Sequence, residues 1–261
     1  MIDKSVFPVG LEHGEGDVCG QNGTGFLLNF AGYRFVITAL HCIPEEWKSY
    51  GIDGLKKYIE DKIFFGIIPN DDNIWRIPIC NLFYHTDGIG NFLDLLICAV
   101  DEKAISSLVD DKSIHRIIPL ELSNAPLKKD QYYKIYGYPT REFSKNGQSY
   151  HSIGHEILGR YICRNIIDND GNNVFDILPS TYPIDVCEIE ILGEAYGCHG
   201  FSGSPVVDEE SKVVGIIFRC SDDFRKFYFF PNNILQPILN RIVKQLINTV
   251  VENIPAFNPQ S

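Results

Sequence analysis

Residues 197–207 read Gly-Cys-His-Gly-Phe-Ser-Gly-Ser-Pro-Val-Val. One serine, Ser202, lies between two glycines, and an apolar run typical of a β-strand follows directly. Gly200 and Gly203 can adopt backbone torsions that other residues avoid, so a tight turn can direct amide N–H groups inward beside the Ser202 hydroxyl. This stretch predicts a serine nucleophile next to amides that stabilise a negative charge.

Two other chemical signals precede this turn along the chain. In residues 36–42, Val-Ile-Thr-Ala-Leu-His-Cys, an apolar strand delivers His41 where the strand ends. In residues 92–97, Phe-Leu-Asp-Leu-Leu-Ile, Asp94 is embedded in an apolar run, where a buried carboxylate requires a partner. A lone histidine at a strand end is more often structural than catalytic, and an edge-strand position would also account for the aspartate.

The three motifs together, T-A-x-H-C, then D-L-L, then G-x-S-G-S-P, resemble the trypsin/chymotrypsin-like serine protease family. The resemblance runs from about Val18 to the C-terminal helix, and Gly137-Tyr138-Pro139 is similar to an element of intracellular bacterial-type members. It implies an all-β fold of two six-stranded antiparallel β-barrels, the trypsin-like fold, followed by a C-terminal α-helix.

The resemblance also implies a catalytic triad of His41, Asp94 and Ser202. His41 would take the Ser202 proton and later give it to the leaving amine, while Asp94 would orient the imidazole and stabilise its charged form. The backbone N–H groups of Gly200 and Ser202 would form the oxyanion hole. The expected function is a serine endopeptidase that hydrolyses peptide bonds through an acyl-enzyme on Ser202, with a polypeptide as its substrate.

The resemblance assigns a substrate pocket as well. Tyr196 would form the base of the pocket, and Phe218, Arg219 and Cys220 would form its far wall. No acidic residue occupies the base, so a preference for Lys or Arg side chains is not expected. Tyr196 would suit small or apolar side chains, and His199 and Arg219 could contact an acidic neighbour.

Two positions depart from the secreted members of the family. Those enzymes carry an aspartate before the nucleophile, which pairs with a new N-terminus after zymogen cleavage, but this chain has Phe201. Cys42 follows His41, yet the matching position on the preceding strand is Gly23 or Thr24, so the family's disulfide has no second half. The oxyanion loop would need another means of organisation, such as an activating protein partner. The alternative function is a catalytically silent protease-fold binding or regulatory module.

Short β-type runs fall into two sets, which predict two β units in series. The first set comprises residues 26–28, 33–38, 63–68, 75–79 and 93–100; the second comprises residues 132–137, 156–165, 186–192, 205–207, 213–218 and 227–230. The predicted domains are residues 1–112 with His41 and Asp94, residues 113–231 with Ser202, and a helix and tail over 232–261. The connection between the two units is placed near residues 101–113.

Two segments indicate helices instead of strands. After Pro231, apolar residues recur every three or four positions, and Asn233 is available to cap the start of one amphipathic helix. We expect this helix to pack on the second unit as a brace. Residues 45–61 have mixed helical spacing, which favours a short surface helix or an irregular loop.

Composition and charge exclude several classes of function. The formal net charge is −11, which opposes binding to nucleic acid or to anionic membranes, and the densest basic cluster is only Lys128-Lys129 with Lys134. The sequence has no apolar run that matches an export signal or a membrane span, so a cytoplasmic protein is expected. Eight cysteines occur without a CxxC motif, and free thiols are expected.

Metal and cofactor chemistry has little support in the sequence. His151 and His155 are four residues apart and Cys198 adjoins His199, but no HExxH motif occurs, and neither pair has a second ligand pair at zinc-finger spacing. We expect no metal and no cofactor.

Other serine hydrolase folds conflict with the residue order. In an α/β-hydrolase the histidine follows the serine, whereas no histidine follows Ser202, and Ser204 replaces the last glycine of G-x-S-x-G. A subtilisin-like order could be built with Asp17, but the chain lacks the strand and helix alternation of a parallel sheet.

Overall fold

The computed structural model describes residues 5–13, 17–44, 46, 51–65, 79–86, 92–101, 118–139, 144–146, 149–151, 154–164, 186–192, 199–221 and 223–252. Strands predominate in these ranges. The strands are β1 Val6–His13, β2 Asp17–Phe30, β3 Tyr33–Thr38, β4 Ile63–Phe65, β5 Ile79–Thr86, β6 Phe92–Val100, β7 Leu120–Glu121, β8 Tyr132–Gly137, β9 Ser144–Asn146, β10 Ser149–His151, β11 His155–Arg164, β12 Cys187–Ile191, β13 Pro205–Val207, β14 Val213–Cys220 and β15 Lys226–Pro231. The helices are α1 Gly51–Lys62 and α2 Asn232–Glu252, with a 3-10 turn at Leu40–Cys42.

The first unit is a sheet of seven described strands. Six of them follow the order β4-β1-β2-β3-β6-β5, with antiparallel pairing between neighbours, and β7 pairs with β2 in parallel. In this order β6, which contains Asp94, lies next to β3, which leads to His41. The topology therefore brings the two predicted residues to one end of the sheet.

The second unit is a closed barrel of six strands in the order β11-β12-β15-β14-β13-β8. β13 begins three residues after Ser202 and pairs with both β8 and β14. The predicted all-β trypsin-like fold with a C-terminal helix is confirmed. The sequence predicted two six-stranded barrels, and among the described strands the second unit is such a barrel, whereas the first unit is a seven-stranded sheet.

Among the described residues, three apolar clusters hold these layers together. One lies inside the first unit, one lies inside the second barrel, and the third is shared by both units and helix α2. β3 shows how one strand serves two clusters, because Val36 enters the first-unit cluster while Phe35 and Ile37 enter the shared one. Burial on both faces explains why the centre of β3 and most of β6 are apolar.

Helix α2 packs on the shared cluster through residues spaced three or four apart. Leu235, Leu239 and Ile242 are 0, 0 and 3% exposed. The helix also lines a groove with Leu95 and Ile97 of β6, so it braces both units and not only the second one. The predicted amphipathic helix is confirmed, and its contacts are broader than expected.

The start of α2 corrects one detail of the sequence interpretation. The helix begins at Asn232, so Asn233 lies inside it and does not cap it. The Asn232 side-chain amide donates instead to the carbonyl oxygens of Ser123 at 2.8 Å and Val213 at 2.5 Å. These bonds tie the helix start to the barrel.

Several strand boundaries agree with the sequence prediction. β3, β8 and β13 have the bounds expected from the sequence, and helix α1 occupies most of residues 45–61, where a helix or a loop was expected. β5 spans Ile79–Thr86, later than the predicted run over residues 75–79, of which only the last residue is described. The connection predicted near residues 101–113 lies almost wholly outside the described residues. Within the described part, no helix is long and apolar enough to cross a membrane.

Candidate active site

His41 and Asp94 are joined by two hydrogen bonds. The His41 ring Nδ1 lies 2.6 Å from Asp94 Oδ2, and the His41 backbone N–H donates to Asp94 Oδ1 at 2.9 Å. Strand pairing explains the contact, because Thr38 of β3 lies opposite Leu96 of β6, and His41 and Asp94 lie just beyond that pair. The carboxylate therefore fixes both the ring and the backbone of the histidine.

The environment of His41 raises the pKa of its imidazole above the ordinary 6.5. Partial burial lowers the pKa, but the hydrogen bond to Asp94 and the negative charge of Asp94 outweigh that effect. The His41 side chain remains 49% exposed, whereas that of Asp94 is only 14% exposed. The pair thus has a shielded carboxylate and an imidazole that solvent or a ligand can reach.

Ser202 lies in a tight turn that the second barrel holds in place. Gly203 N–H donates to Ile217 O at 2.7 Å, Ser204 N–H donates to Phe201 O at 2.9 Å, and Ile217 N–H donates to Ser204 O at 2.9 Å. Gly203 has φ +87°, and a Cβ at that position would overlap the Thr24 carbonyl oxygen. The turn therefore requires glycine there for both torsion and space.

The first unit contacts this turn from the other side. Thr24 N–H donates to Ser202 O at 2.8 Å, and the Cys42 thiol donates to the same oxygen at 3.4 Å. Cys42 is the residue after His41, so the turn with Ser202 lies against the segment that carries the histidine. Among the hydrogen bonds of the described residues, none joins the Ser202 hydroxyl to the His41 ring.

Phe201 occupies the position where the secreted enzymes carry an aspartate. Its side chain is 0% exposed and lies in the core of the second barrel, with its ring centroid 5.5 Å from that of Phe227. Gly137 packs directly on the Phe201 ring, where a Cβ would lie 2.6 Å from a ring carbon. The residue before Ser202 is thus anchored by apolar burial and not by an ion pair.

Cys42 and Cys98 are free, buried thiols. Burial, followed by the negative charge of Asp94, raises the pKa of the Cys42 thiol to about 12. Burial likewise raises the pKa of Cys98. Because the thiolate is the reactive form, Cys42 is inert at neutral pH despite its contact with Ser202.

Close packing at Gly23 gives a first testable prediction. A Cβ at this position would overlap Cys42 Sγ and lie 2.9 Å from Ser202 O, so Gly23 is the position opposite Cys42. We expect Gly23→Ala to lower the free energy of unfolding in urea by about 1–3 kcal/mol through overpacking. Because the overlap involves the sulfur, the double variant Gly23→Ala, Cys42→Ala should lose less than the sum of the two single variants. Additive losses would contradict this interpretation.

The predicted pocket residues divide into three groups. Tyr196, the predicted base of the pocket, lies outside the described residues. His199 and Arg219 are exposed and Cys220 is half-buried, and both Arg219 and Cys220 influence the pKa of His41. Arg219 and Cys220 therefore lie near His41, whereas the His199 ring packs against Phe224, with ring centroids 5.4 Å apart.

The assignment of Phe218 to the pocket wall is wrong for its side chain. Phe218 is 2% exposed, belongs to the shared cluster and stacks on Phe230 with ring centroids 4.1 Å apart. Its neighbour Ile217 points the other way, into the barrel. The Phe218 side chain is therefore part of the core and inaccessible to a substrate.

No group of three or more His, Cys, Asp or Glu side chains that could hold a metal ion occurs in the described part of the chain. His151 ends β10 and His155 begins β11, so the two histidines lie on strands and not on one turn of a helix.

Solved structures share this architecture. The Rv3671c protease of M. tuberculosis H37Rv, in its inactive form, is 17% identical over 92% of this chain and 90% of that chain, with a TM-score of 0.52. Human heparin binding protein is 16% identical over 97% of this chain and 94% of that chain, also with a TM-score of 0.52. The chain has the trypsin-like serine protease fold. No protein-family model and no curated protein matches the sequence.

The trypsin-like fold accounts for the position of the candidate site at the contact between the two units. His41 and Asp94 come from the first unit, and Ser202 comes from a turn at the start of a barrel strand in the second. One residue of this site escaped the sequence interpretation. The sequence indicates Thr24 only as one of two positions where the second cysteine of the family's disulfide would lie, whereas its side chain donates a hydrogen bond to the turn. Its position two residues before the strand run 26–28 was the available signal.

Proposed function

We propose that this chain is a serine endopeptidase that hydrolyses peptide bonds through an acyl-enzyme on Ser202. One observation carries the proposal: Asp94 holds both the ring and the backbone of His41, and the segment with His41 lies against the turn that presents Ser202. A histidine oriented by a carboxylate beside a serine in a glycine turn is the arrangement that activates a hydroxyl nucleophile.

The hydrogen bonds assign a role to each ring nitrogen. Nδ1 of His41 is engaged by Asp94, which fixes the tautomer with its proton on Nδ1 and leaves Nε2 as the base. Nε2 would accept the Ser202 proton as Oγ attacks the carbonyl carbon of the scissile bond. The imidazolium would then donate that proton to the leaving amine, and water would release the acyl group by the same steps.

The turn also supplies donors for the oxyanion. The amides of Gly203 and Ser204 already donate to Ile217 O and Phe201 O. Within the described residues, no acceptor is found for the amides of Gly200 and Ser202. These two amides would stabilise the negative oxygen of the tetrahedral intermediate, at about 3 kcal/mol for each donor.

The surroundings suggest one feature of the polypeptide substrate. Arg219 is exposed, and its positive charge lies close enough to His41 to lower the pKa of the imidazole. An acidic residue near the scissile bond of the substrate would be attracted to Arg219.

A catalytically silent binding module is the second candidate function. It is favoured by the missing hydrogen bond between Ser202 and His41 among the described residues and by Phe201 in place of an aspartate. Human heparin binding protein has the same fold, and its name describes binding to a polyanion. The net charge of −11 opposes such binding by this chain, so a silent module would need a different ligand.

A fluorophosphonate probe separates the two functions, because only an activated serine reacts quickly. We expect the folded protein to be labelled at Ser202, as mapped by mass spectrometry, and Ser202→Ala to remain unlabelled. Ser204→Ala is the matched control: the Ser204 hydroxyl is buried and has no hydrogen-bond partner among the described residues, so its loss should leave labelling intact. A folded wild type that stays unlabelled would favour the silent module.

A further inference from the structure

Thr24 forms two hydrogen bonds with the Ser202 turn, and no motif in the sequence indicates either of them. It is 0% exposed. Its N–H donates to Ser202 O at 2.8 Å, and its hydroxyl donates to Gly200 O at 2.6 Å. The same hydroxyl accepts the N–H of Tyr138 at 2.9 Å, and the Thr24 carbonyl accepts the Thr38 hydroxyl at 2.7 Å. Every polar group of Thr24 is therefore engaged.

The two bonds from Thr24 to the turn lie on either side of Phe201. One holds the carbonyl of the residue before Phe201, and the other holds the carbonyl of the residue after it. Meanwhile the Phe201 side chain is buried in the second barrel. The turn is thus held from the first unit by its backbone and from the second unit by its side chain.

The hydrogen bond from the Thr24 hydroxyl restrains Gly200, the most flexible type of residue in the turn. Gly200 has φ +98°, and a glycine has many accessible conformations to lose. Fixing its carbonyl fixes the plane of the Gly200–Phe201 peptide. The Gly200 N–H belongs to the preceding peptide, so this bond anchors the neighbouring unit against which that N–H is held. The ion pair that organises this loop in secreted trypsin-like enzymes is impossible here, because Phe201 carries no charge.

We propose that Thr24 is a positioning residue for the oxyanion loop: its hydroxyl ties the Gly200 carbonyl to the first unit and keeps the Gly200 and Ser202 amides directed at the cleft. The loop is therefore formed without an N-terminal cleavage. This inference rests on the proposed function and names the means by which that site stays ordered.

Thr24→Val tests the proposal, because it removes the hydroxyl and keeps a β-branched side chain of similar size. We expect kcat to fall by about 10- to 100-fold, since the two amides act mainly in the transition state, with KM changed by less than about threefold. Thr24→Ser restores the hydroxyl and should stay within about threefold of wild type in kcat. An unchanged kcat in Thr24→Val, or an equal loss in Thr24→Ser, would overturn the proposal.

Thr38→Val is the matched control. It deletes a buried hydroxyl that donates to the Thr24 carbonyl oxygen, and among the hydrogen bonds of the described residues none joins that hydroxyl to the turn. We expect its kcat to stay within about threefold of wild type even if its thermal stability falls as much as that of Thr24→Val. Equal losses of kcat in both variants would show that Thr24 has a general structural role, and would overturn the proposal.

Hydrogen exchange gives a readout that does not depend on activity. Amides of the turn, including those of Gly203 and Ser204, should exchange faster in Thr24→Val than in wild type, Thr24→Ser or Thr38→Val, all measured well below the unfolding temperature. If the protein hydrolyses no peptide but the exchange result holds, the proposed function fails and the role of Thr24 in ordering the loop stands. Unchanged exchange in Thr24→Val would overturn that role directly.

Discussion

Replacing Ser202 with alanine is expected to lower kcat for peptide hydrolysis by about 10⁶-fold, which is the scale seen when the nucleophile of a serine protease is removed. Without Oγ no acyl-enzyme can form, and His41 and Asp94 then have no hydroxyl to activate. The measurement is the initial rate on a peptide that the wild type cleaves, identified from a peptide library by mass spectrometry.

The control for this prediction is Ser204→Ala, two residues away in the same turn. Its rate should stay close to that of the wild type, because the Ser204 side chain is 0% exposed and donates no bond to the site. A rate in Ser202→Ala within about tenfold of wild type would mean that Ser202 is not the nucleophile, and that any hydrolysis observed comes from another group or a contaminant.

Replacing Asp94 with asparagine is expected to lower kcat by about 10⁴-fold while leaving the fold intact. An amide in place of the carboxylate can donate to Nδ1 and so favour the wrong tautomer of His41. The variant also loses the negative charge that, with the hydrogen bond, raises the pKa of His41. The circular dichroism spectrum should be unchanged.

The pH profile of the same variant gives the sign of this effect. His41 acts as a base only when it is neutral, so kcat/KM should rise with pH through the pKa of His41. In Asp94→Asn that pKa falls, because burial lowers it and the raising contribution of Asp94 is lost. The rising limb should therefore move to lower pH, with a much lower plateau.

The His41–Asp94 pair also makes the stability of the fold depend on pH. A carboxylate with a lowered pKa stabilises a fold less as pH falls, whereas a histidine with a raised pKa stabilises it less as pH rises. Because the folded-state pKa of His41 is raised, the pair stabilises the fold fully below the unfolded-state pKa and loses this contribution as pH rises through the folded-state pKa.

Glu190→Gln is the control for the pH profile of Asp94→Asn. It removes one charge from an ion pair with Arg160 and should change neither the plateau nor the rising limb of kcat/KM against pH. If the rising limb of kcat/KM in Asp94→Asn lies at the same pH as in the wild type, the proposed role of Asp94 in raising the pKa of His41 is contradicted.

The triad candidates could be predicted because each lies within a short local motif. The apolar runs that lead to His41 and surround Asp94 are β3 and β6, which pair antiparallel although β4 and β5 lie between them along the chain. β1 could not be predicted, because Pro8 and Gly10 are both disfavoured in strands. Pairing with β2 and β4 supplies the contacts that override these local preferences.

Contacts between residues that are far apart along the chain could not be predicted from the sequence either. Thr24 and Gly200 are 176 residues apart, so no local pattern connects them. The wrong assignment of Phe218 has a separate cause. The resemblance assigns three consecutive residues, Phe218, Arg219 and Cys220, to the pocket wall, but successive side chains of strand β14 point to opposite faces, and the Phe218 side chain points into the shared cluster.

The shared apolar cluster has a consequence for synthesis on the ribosome. Leu95 and Ile97, on either side of Leu96 and close to Asp94, belong to the same cluster as Leu235 and Leu239 of helix α2. A growing chain therefore carries His41, Asp94 and Ser202 before it carries the helix that covers this apolar surface. The strand that bears Asp94 acquires its full packing only when residues 232–252 have been added, so the peptidase activity proposed here would mature only after this helix has left the ribosome.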